Sequence, residues 1–217
     1  MPEIIKRDLL ITSSIIDSYD WVKNAPPSWK QKAYDDFWGA LTRTKEWKPD
    51  KKIQRGIDFE NKVYEYARRT DLPATVSNEF RTMVEEARGA SIQKKIKKIE
   101  TINGQSFCLY GKTDLWFPDI IKDVKTTASY KESKYRKSIQ HQLYLYIEDM
   151  SRFEYLVAVF NDDEDDKKVQ RIERVYIEES DAEALRQAVH NRVWEFYSFV
   201  ANDSDLFNAY VNKFCLF

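Results

Sequence analysis

The chain has 217 residues, of which 42% are hydrophobic and 33% are charged, and its formal net charge is −1. This length and balance predict one domain with a sizeable core and exclude a uniformly basic nucleic-acid binder. The two cysteines, Cys108 and Cys215, are too few for a four-cysteine metal cluster, and no uncharged apolar run is long enough to span a membrane. We therefore expect a cytoplasmic protein with reduced thiols and no membrane association.

The first 49 residues are rich in aromatic side chains, and residues 9–49 are predicted to be helical. Ser13 or Ser14 is a suitable N-cap for a short helix that continues to Trp21. The sequence Pro26-Pro27-Ser28 breaks this helix and begins a second one. We interpret residues 1–49 as a helical cap on the rest of the chain.

A strongly periodic helix is predicted over residues 51–69. Its stripe of residues at spacings of three and four is formed by Ile53, Ile57, Glu60, Tyr64 and Ala67. A carboxylate inside a buried stripe needs a cation or hydrogen-bond donors, so Glu60 is a candidate metal ligand. The alternative is that the buried stripe is rotated and Glu60 lies at its edge.

A further helix is predicted over residues 74–88, followed by strands over 94–102 and 105–117. Asn103-Gly104 between these strands is a strong signal for a tight hairpin turn. The lysines of the first strand are typical of a solvated edge strand, although a DNA-facing edge would look the same.

The stretch from Gly111 to Thr126 predicts a second hairpin, with Pro118-Asp119 at its turn. If the turn is centred between these two residues, Asp114 lies opposite Asp123, with Cβ atoms roughly 4.5–5.5 Å apart. Two carboxylates ~4 Å apart repel by about 4 kcal/mol at an effective dielectric near 20, and a bound divalent cation would remove that repulsion. Lys125 shares a face with Asp123 because side chains alternate along a strand. The alternative is an ordinary solvated sheet face.

After residue 127 the chain becomes basic and then helical, with a helix predicted over residues 134–150. The basic side chains of this run, which would suit the phosphates of a nucleic-acid backbone, are Lys131, Lys134, Arg136 and Lys137. Two pairs of residues four apart occur in the helix, Gln142 with Tyr146 and Gln140 with Tyr144. They lie on different faces, so one of the two tyrosines must be ordinary core packing.

The rest of the chain predicts a buried strand over residues 153–160, an acidic hairpin tip at 162–166 and a returning strand over 169–177. Ser180 and Glu183 form a capping box that opens a long helix to about residue 201. A last short helix is predicted over 206–217.

Four segments, in this order, resemble the motifs of the PD-(D/E)XK nuclease superfamily and of its RecB-like exonuclease branch. They are Gly56-Ile57-Asp58-Phe59-Glu60, Gly111-Lys112-Thr113-Asp114, Asp123-Val124-Lys125-Thr126, and Gln142-Leu143-Tyr144-Leu145-Tyr146. The resemblance covers about residues 53–160. It implies an α/β fold: an α/β/α core with a mixed central β-sheet flanked by helices. The core would span residues 50–177 of a single nuclease domain, with the N-terminal helical cap (1–49) and a C-terminal helical extension (178–217).

The resemblance also implies a role for each matching residue. Glu60, Asp114, Asp123 and the carbonyl of Val124 would bind Mg²⁺ or Mn²⁺. Lys125 would act in catalysis with the two aspartates, and Gln142 and Tyr146 would position the substrate. Many RecB-like relatives carry cysteines for an iron–sulfur cluster, and this chain has neither set, so no such cluster is expected.

We therefore expect a metal-dependent DNA nuclease. An exonuclease on single strands or duplex ends is favoured, in recombination, repair or phage DNA processing within a bacterial or phage-infected cell. Two alternatives remain: a non-catalytic nucleic-acid-binding or protein-interaction module on the same fold, and a structure-specific endonuclease.

Overall fold

The computed structural model describes residues 5–44, 48–161, 163 and 168–215. The strands are β1 (Leu9–Thr12), β2 (Ser91–Ile92), β3 (Lys95–Ile102), β4 (Gln105–Lys112), β5 (Leu115–Trp116), β6 (Ile121–Thr127), β7 (Arg152–Phe160) and β8 (Val169–Glu178). The helices are α1 (Ser13–Asn24), α2 (Lys30–Thr42), α3 (Lys51–Ala67), α4 (Asn78–Ala87), α5 (Glu132–Arg136), α6 (Ile139–Glu148), α7 (Ala182–Ala201) and α8 (Ser204–Phe214). A short 3₁₀ turn, Pro27–Trp29, precedes α2.

The strands form two sheets with mixed directions. The larger sheet has the order β2-β5-β6-β7-β8, in which β6 and β7 are parallel and the other pairs are antiparallel. The smaller sheet has the order β1-β4-β3, with β1 parallel to β4. This arrangement confirms the predicted α/β class with mixed strands.

Alternate residues of β7 enter two separate apolar clusters, because successive side chains of a strand point to opposite faces. Tyr155 and Val157 pack with residues of α1, α2, α6, α7 and α8. Leu156 and Ala158 pack with residues of α3 and α4. Helices therefore cover both faces of the larger sheet, as in the predicted three-layer core.

The start of the chain differs from the prediction of a wholly helical segment. Residues 9–12 form β1, which pairs in register with β4 from Leu9 opposite Phe107 to Thr12 opposite Tyr110. Thr12, rather than Ser13 or Ser14, is the N-cap of α1, and its hydroxyl accepts from the Ile15 amide. Leu9 and Ile11 are fully buried in the larger cluster, so this segment belongs to the core of the domain and not only to a cap on it.

Both predicted hairpins are present. Asn103 and Gly104 have φ values of 48° and 88°, as a two-residue turn of type I′ requires, and they join β3 to β4. Leu115 pairs with Lys122 and Trp116 with Ile121, which is the register predicted for a turn at Pro118-Asp119.

Three predicted boundaries are corrected. The strand expected over 105–117 is divided at Thr113, because β4 and β5 belong to different sheets. The helix expected over 134–150 is divided between α5 and α6, where Ser138 caps the second helix. Asp181, and not Ser180, caps α7. The acidic run 162–166 lies, apart from Asp163, outside the described residues, as do 216–217 of the last predicted helix.

Candidate active site

The β5–β6 hairpin places the two aspartates beside each other. Asp114 directly precedes β5, and its Oδ2 accepts a hydrogen bond of 2.9 Å from the amide of Val124 in β6. Asp123, one residue before Val124, is only 2% exposed. The turn register that pairs Leu115 with Lys122 therefore brings the two carboxyl groups together.

Two side chains hold the carboxylate of Asp123. Lys125 Nζ lies 2.6 Å from its Oδ2, as expected for residues two apart on one strand face. Gln140 Nε2, from the first turn of α6, donates to its Oδ1 at 2.6 Å. Oδ2 is buried and accepts no well-aligned hydrogen bond from the described residues, so the ammonium of Lys125 is its main partner.

Glu60 enters from α3, where the buried stripe is rotated relative to the prediction. Ile53 is 46% exposed, whereas Gly56, Phe59 and Val63 are buried. Glu60 therefore lies at the edge of the stripe, which was the alternative interpretation of the sequence. Its Oε1 accepts a hydrogen bond of 2.9 Å from the hydroxyl of the buried Tyr64, one turn further along the helix.

Two glycines of the predicted motifs permit close packing around the site. A Cβ atom on Gly56 would lie 2.3 Å from Oγ1 of Thr126, so the glycine lets α3 approach β6. A Cβ atom on Gly111 would lie 2.4 Å from the ring of Tyr144, so the glycine lets α6 approach β4. The glycines thus set how closely α3 packs on β6 and α6 on β4, and with it the positions of the side chains that these helices contribute to the site.

A pocket of about 410 Å³ joins these groups. Its lining includes Glu60, Asp114, Asp123, Val124, Lys125 and Gln140. The structure therefore brings every predicted metal-binding and catalytic residue to one pocket, which we call the carboxylate pocket.

The pocket raises the pKa values of two of its acids. Burial raises the pKa of Asp114 well above its ordinary value, and the charges of Asp123 and Glu60 add to this effect. Burial also raises the pKa of Glu60, although the hydrogen bond from Tyr64 opposes the change. Burial disfavours the charge of Lys125, but Asp123 and Asp114 outweigh this and raise its pKa. Lys125 therefore remains an ammonium group at neutral pH.

The donor set matches a hard divalent cation in its chemistry, because carboxylate oxygens are the ligands that Mg²⁺ and Mn²⁺ prefer. The buried Asp123 Oδ2, which lacks a well-aligned donor, is an additional sign of fit. As the side chains stand, no three acidic, histidine or cysteine groups of the described residues are arranged so that they could hold a metal ion. Each carboxyl group instead holds a protein donor: Tyr64, Val124 or Gln140.

In the fourth motif segment, the structure places a residue other than the predicted Gln142 at the site. Gln140, not Gln142, contacts Asp123, and Tyr144 packs on Gly111 with its hydroxyl 3.3 Å from the carbonyl of Lys112. The hydroxyl of Tyr146 is instead bonded to Glu100 at 2.6 Å and lies 3.1 Å from His190. Gln142 and Tyr146 do not line the carboxylate pocket within the described part of the chain.

The basic run divides between two directions. Lys134 is exposed, and its charge acts on Asp17 of α1, as the charge of Lys125 also does. Arg136 instead pairs with Glu132 and contacts the carbonyl of Tyr176 in β8. Lys131 and Lys137 are exposed, and their side chains make no bond with the residues that the structure describes.

The sequence interpretation did not identify Tyr64 and Thr126 as site residues. The spacing of four between Glu60 and Tyr64 was visible, but the same spacing joins many helical pairs in contact. Thr126 was quoted only as part of a motif, and its contact with Gly56 depends on tertiary packing.

No protein-family model matches this chain, and no curated protein matches its sequence. Among solved structures, a phage-related exonuclease from Haemophilus somnus 129PT has a TM-score of 0.50 at 14% identity, and the match covers 90% of this chain and 96% of the other. The alkaline exonuclease LHK-Exo from Laribacter hongkongensis has a TM-score of 0.50 at 15% identity, with 93% of this chain and 90% of the other covered. The same exonuclease in complex with dAMP has a TM-score of 0.51 at 13% identity over the same shares of the two chains. Taken together with the motifs and their geometry, these likenesses show that the chain has the fold of these exonucleases, which is the PD-(D/E)XK nuclease fold.

Proposed function

We propose that this chain is a metal-dependent DNA nuclease, and specifically an exonuclease that hydrolyses phosphodiester bonds in single strands or at duplex ends. The observation that carries the proposal is the meeting of Glu60, Asp114, Asp123 and Lys125 in one pocket on an exonuclease fold. A protein that only binds nucleic acid has no need of three carboxyl groups that repel phosphate.

The metal site would consist of Glu60, Asp114, Asp123 and the backbone carbonyl of Val124, with Mg²⁺ or Mn²⁺ as the cation. When bound, such an ion lowers the pKa of a water molecule and neutralises charge on a phosphate group. The raised pKa values of Glu60 and Asp114 mean that metal binding and activity strengthen as pH rises, because both groups bind a cation only after they lose their protons.

The chain's own residues then act on position and charge. Lys125 keeps its proton on Nζ and would stabilise the negative charge that develops on the phosphate oxygens. Gln140 fixes the rotamer of Asp123, and Tyr64 fixes that of Glu60. These contacts hold the carboxylates ready, so that little reorganisation is needed when substrate arrives.

DNA is the substrate that we propose, with Lys131, Lys134, Arg136 and Lys137 as the backbone contacts. Gln140, which lines the pocket, takes over the substrate-positioning role first predicted for Gln142, and Tyr144 packs on Gly111 behind it. The exonucleases of similar fold, one of them solved with dAMP, support the choice of substrate, and we place the activity in recombination, repair or phage DNA processing as part of the same proposal.

Digestion of end-labelled linear DNA and of circular single-stranded DNA, with Mg²⁺ or with EDTA, tests this proposal. We expect Mg²⁺-dependent loss of the linear substrate, survival of the circle, and no cleavage by Asp123→Asn. The matched control is Asp119→Asn at the tip of the same hairpin, where the carboxylate is exposed and pairs with Arg152. Cleavage of the circle would show an endonuclease. Binding without any cleavage would show a non-catalytic module.

A further inference from the structure

A second cavity, of about 610 Å³, lies on the other face of α3. Phe59, Lys62 and Tyr66 from α3 line it, together with Phe80 from α4 and Phe160 from the end of β7. We call this cavity the aromatic pocket. Its volume is within the ~300–1,000 Å³ that is common for small-molecule sites.

Four aromatic rings form a continuous row along this pocket. Phe59 contacts Phe160 edge to face with centroids 5.4 Å apart, and it contacts Phe80 in the same way at 5.8 Å. Phe80 then contacts Tyr66 at 5.7 Å. Phe59 and Phe160 are buried, whereas Phe80 and Tyr66 are partly exposed, so the row has a buried base and an accessible end.

The aromatic pocket adjoins the carboxylate pocket at the first turns of α3. Arg55 and Phe160 line both cavities, and the guanidinium of Arg55 lies 4.5 Å from the ring centroid of Phe160. Arg55 also donates to the carbonyls of Asp163 at 2.6 Å and Asn161 at 3.3 Å, which fixes this shared wall. A strand that leaves one pocket over this wall enters the other.

The charges on the rim also suit a nucleotide. Lys62 makes no ion pair or hydrogen bond with the residues that the structure describes, and it can meet a phosphate. Of the three acids in the lining, Glu65 is paired with Arg69, Asp58 accepts a hydrogen bond from Gln54, and Glu79 lies on α4; Lys168 is a second lysine of the lining. Apolar rings below and a cation above are the two components of single-strand binding sites.

We propose that the aromatic pocket binds a nucleobase of the same DNA strand whose phosphodiester lies in the carboxylate pocket, and this rests on the proposed nuclease function. A helix is about 10 Å across, and stacked nucleotides rise ~3.4 Å each, so the base belongs within about three nucleotides of the scissile bond. Rings recognise the face of a base and not its edge, so binding tolerates any base sequence.

A double-mutant cycle between protein and DNA tests the inference. The probe is a fluorescein-labelled single-stranded oligonucleotide with one abasic site moved through successive positions from the end, and its Kd is measured by anisotropy in EDTA, where no metal-dependent cleavage occurs. Phe80→Leu and Tyr66→Leu remove a ring and keep apolar volume, and thermal melting verifies that each variant folds. Trp38→Ala removes an aromatic ring that is 37% exposed and lies on α2, outside both pockets.

We expect one abasic position to raise the Kd about tenfold, the Phe80→Leu change to raise it about tenfold for intact DNA, and the two changes together to be no worse than either alone. Trp38→Ala leaves the effect of the abasic site unchanged. Additive effects at every position, or the absence of single-strand binding by the wild type, would overturn the inference. A failure of the nuclease proposal gives a different result from a failure of this inference. It appears as the absence of Mg²⁺-dependent cleavage, whether or not the effects of the abasic site and of Phe80→Leu on the Kd are coupled.

Discussion

Lys122 and Asp123 are neighbours in β6, and each belongs to a cluster of acidic side chains. On the side of Lys122, Glu86 and Glu154 share two cations: Lys122 Nζ lies 2.5 Å from Glu86 and 3.3 Å from Glu154, and Arg174 contacts both acids. Burial opposes the charge of Glu86, but hydrogen bonds from Arg174 and Lys122 outweigh it and lower its pKa. Two acids and two bases thus form a balanced network.

On the side of Asp123, three carboxyl groups line one pocket, and Lys125 pairs with Asp123. Lys52 and Arg55 line the same pocket, and the charge of Lys112 acts on Glu60. Here the pKa values of Asp114 and Glu60 are raised rather than lowered. The comparison shows that burial and a shared strand do not by themselves make a functional site. In the unbalanced set around Asp123, burial and like charges outweigh the nearby base, so a proton or a bound cation would stabilise these acids.

The largest expected difference between the two clusters follows from removing the lysine of each. Lys125→Ala should reduce kcat/KM for linear DNA by about 10²–10³-fold, because a charge that stabilises the transition state is lost. Lys122→Ala should leave kcat/KM unchanged and lower the free energy of unfolding by about 1–2 kcal/mol, since Arg174 still contacts both acids. Steady-state kinetics and urea unfolding of both variants check this. The opposite assignment of the two effects would contradict the comparison.

The next effect concerns the distance between α3 and β6. Gly56→Ala places a Cβ atom 2.3 Å from Thr126 Oγ1, so the Thr126 side chain or the helix must move, and a shift of the helix would displace Glu60 relative to Asp123. We expect activity to fall by up to ~10²-fold, because small displacements of catalytic groups have large effects. Thr126→Ala removes the clashing atom, and the double variant should recover most of the activity that Gly56→Ala loses.

A double variant of Gly56 and Thr126 that stayed as inactive as Gly56→Ala alone would show that the defect does not arise from this contact. The single variant Thr126→Ala is assayed beside it, so that any direct effect of the hydroxyl group is measured separately.

A smaller effect is expected from the hydrogen bond within α3. Tyr64→Phe removes a donor that lowers the pKa of Glu60, so this already raised pKa rises further. Glu60 is then ionised over a narrower range, and the acidic limb of the pH–kcat/KM profile moves to higher pH, with a loss of roughly tenfold on that limb. Tyr176→Phe on the exposed surface of β8 is the control. A profile that keeps its acidic limb in place would show that Glu60 does not limit activity.

The smallest effect concerns stability without metal. Folding raises the pKa of Asp114 above its ordinary 3.8, so the folded state holds this proton more tightly than the unfolded state does. The free energy of unfolding is therefore highest below pH 3.8 and falls as the pH rises towards the raised pKa. Asp114→Asn cannot lose the proton, so its Tm at neutral pH should exceed that of the wild type by ~2–4 °C in EDTA. The difference should disappear at about pH 3, below the ordinary pKa. A lower Tm for the variant at neutral pH would contradict this.

The parts of the site that could be predicted from sequence are those set by local geometry. A two-residue turn at Pro118-Asp119 fixes which residues face each other, so the closeness of Asp114 and Asp123 followed from the turn alone. The 3.6-residue period likewise located α3. Its buried stripe is rotated by part of a turn from the predicted one, since Ile53 is exposed.

The features that the sequence did not predict are of two kinds. Some depend on contacts between residues far apart in the chain, and others depend on which face of a helix meets the site, which the hydrophobic pattern does not define. β1 has only four residues and pairs with β4, which lies about a hundred positions later. The sequence could not show that Gln140 rather than Gln142 contacts Asp123, because α6 is buried on nearly all sides and periodicity does not mark the face that meets Asp123. The break at Ser138 further shifted the helix relative to the one expected from residue 134.

Calorimetric titration of Mn²⁺ into the wild-type protein and into Asp123→Asn tests most directly whether the unbalanced carboxyl groups form a metal site. We predict saturable binding by the wild type that weakens as pH falls through the raised pKa values of Glu60 and Asp114, and no saturable binding by Asp123→Asn. Equal binding by the two proteins, or no binding by the wild type at neutral pH, would contradict the metal-dependent mechanism.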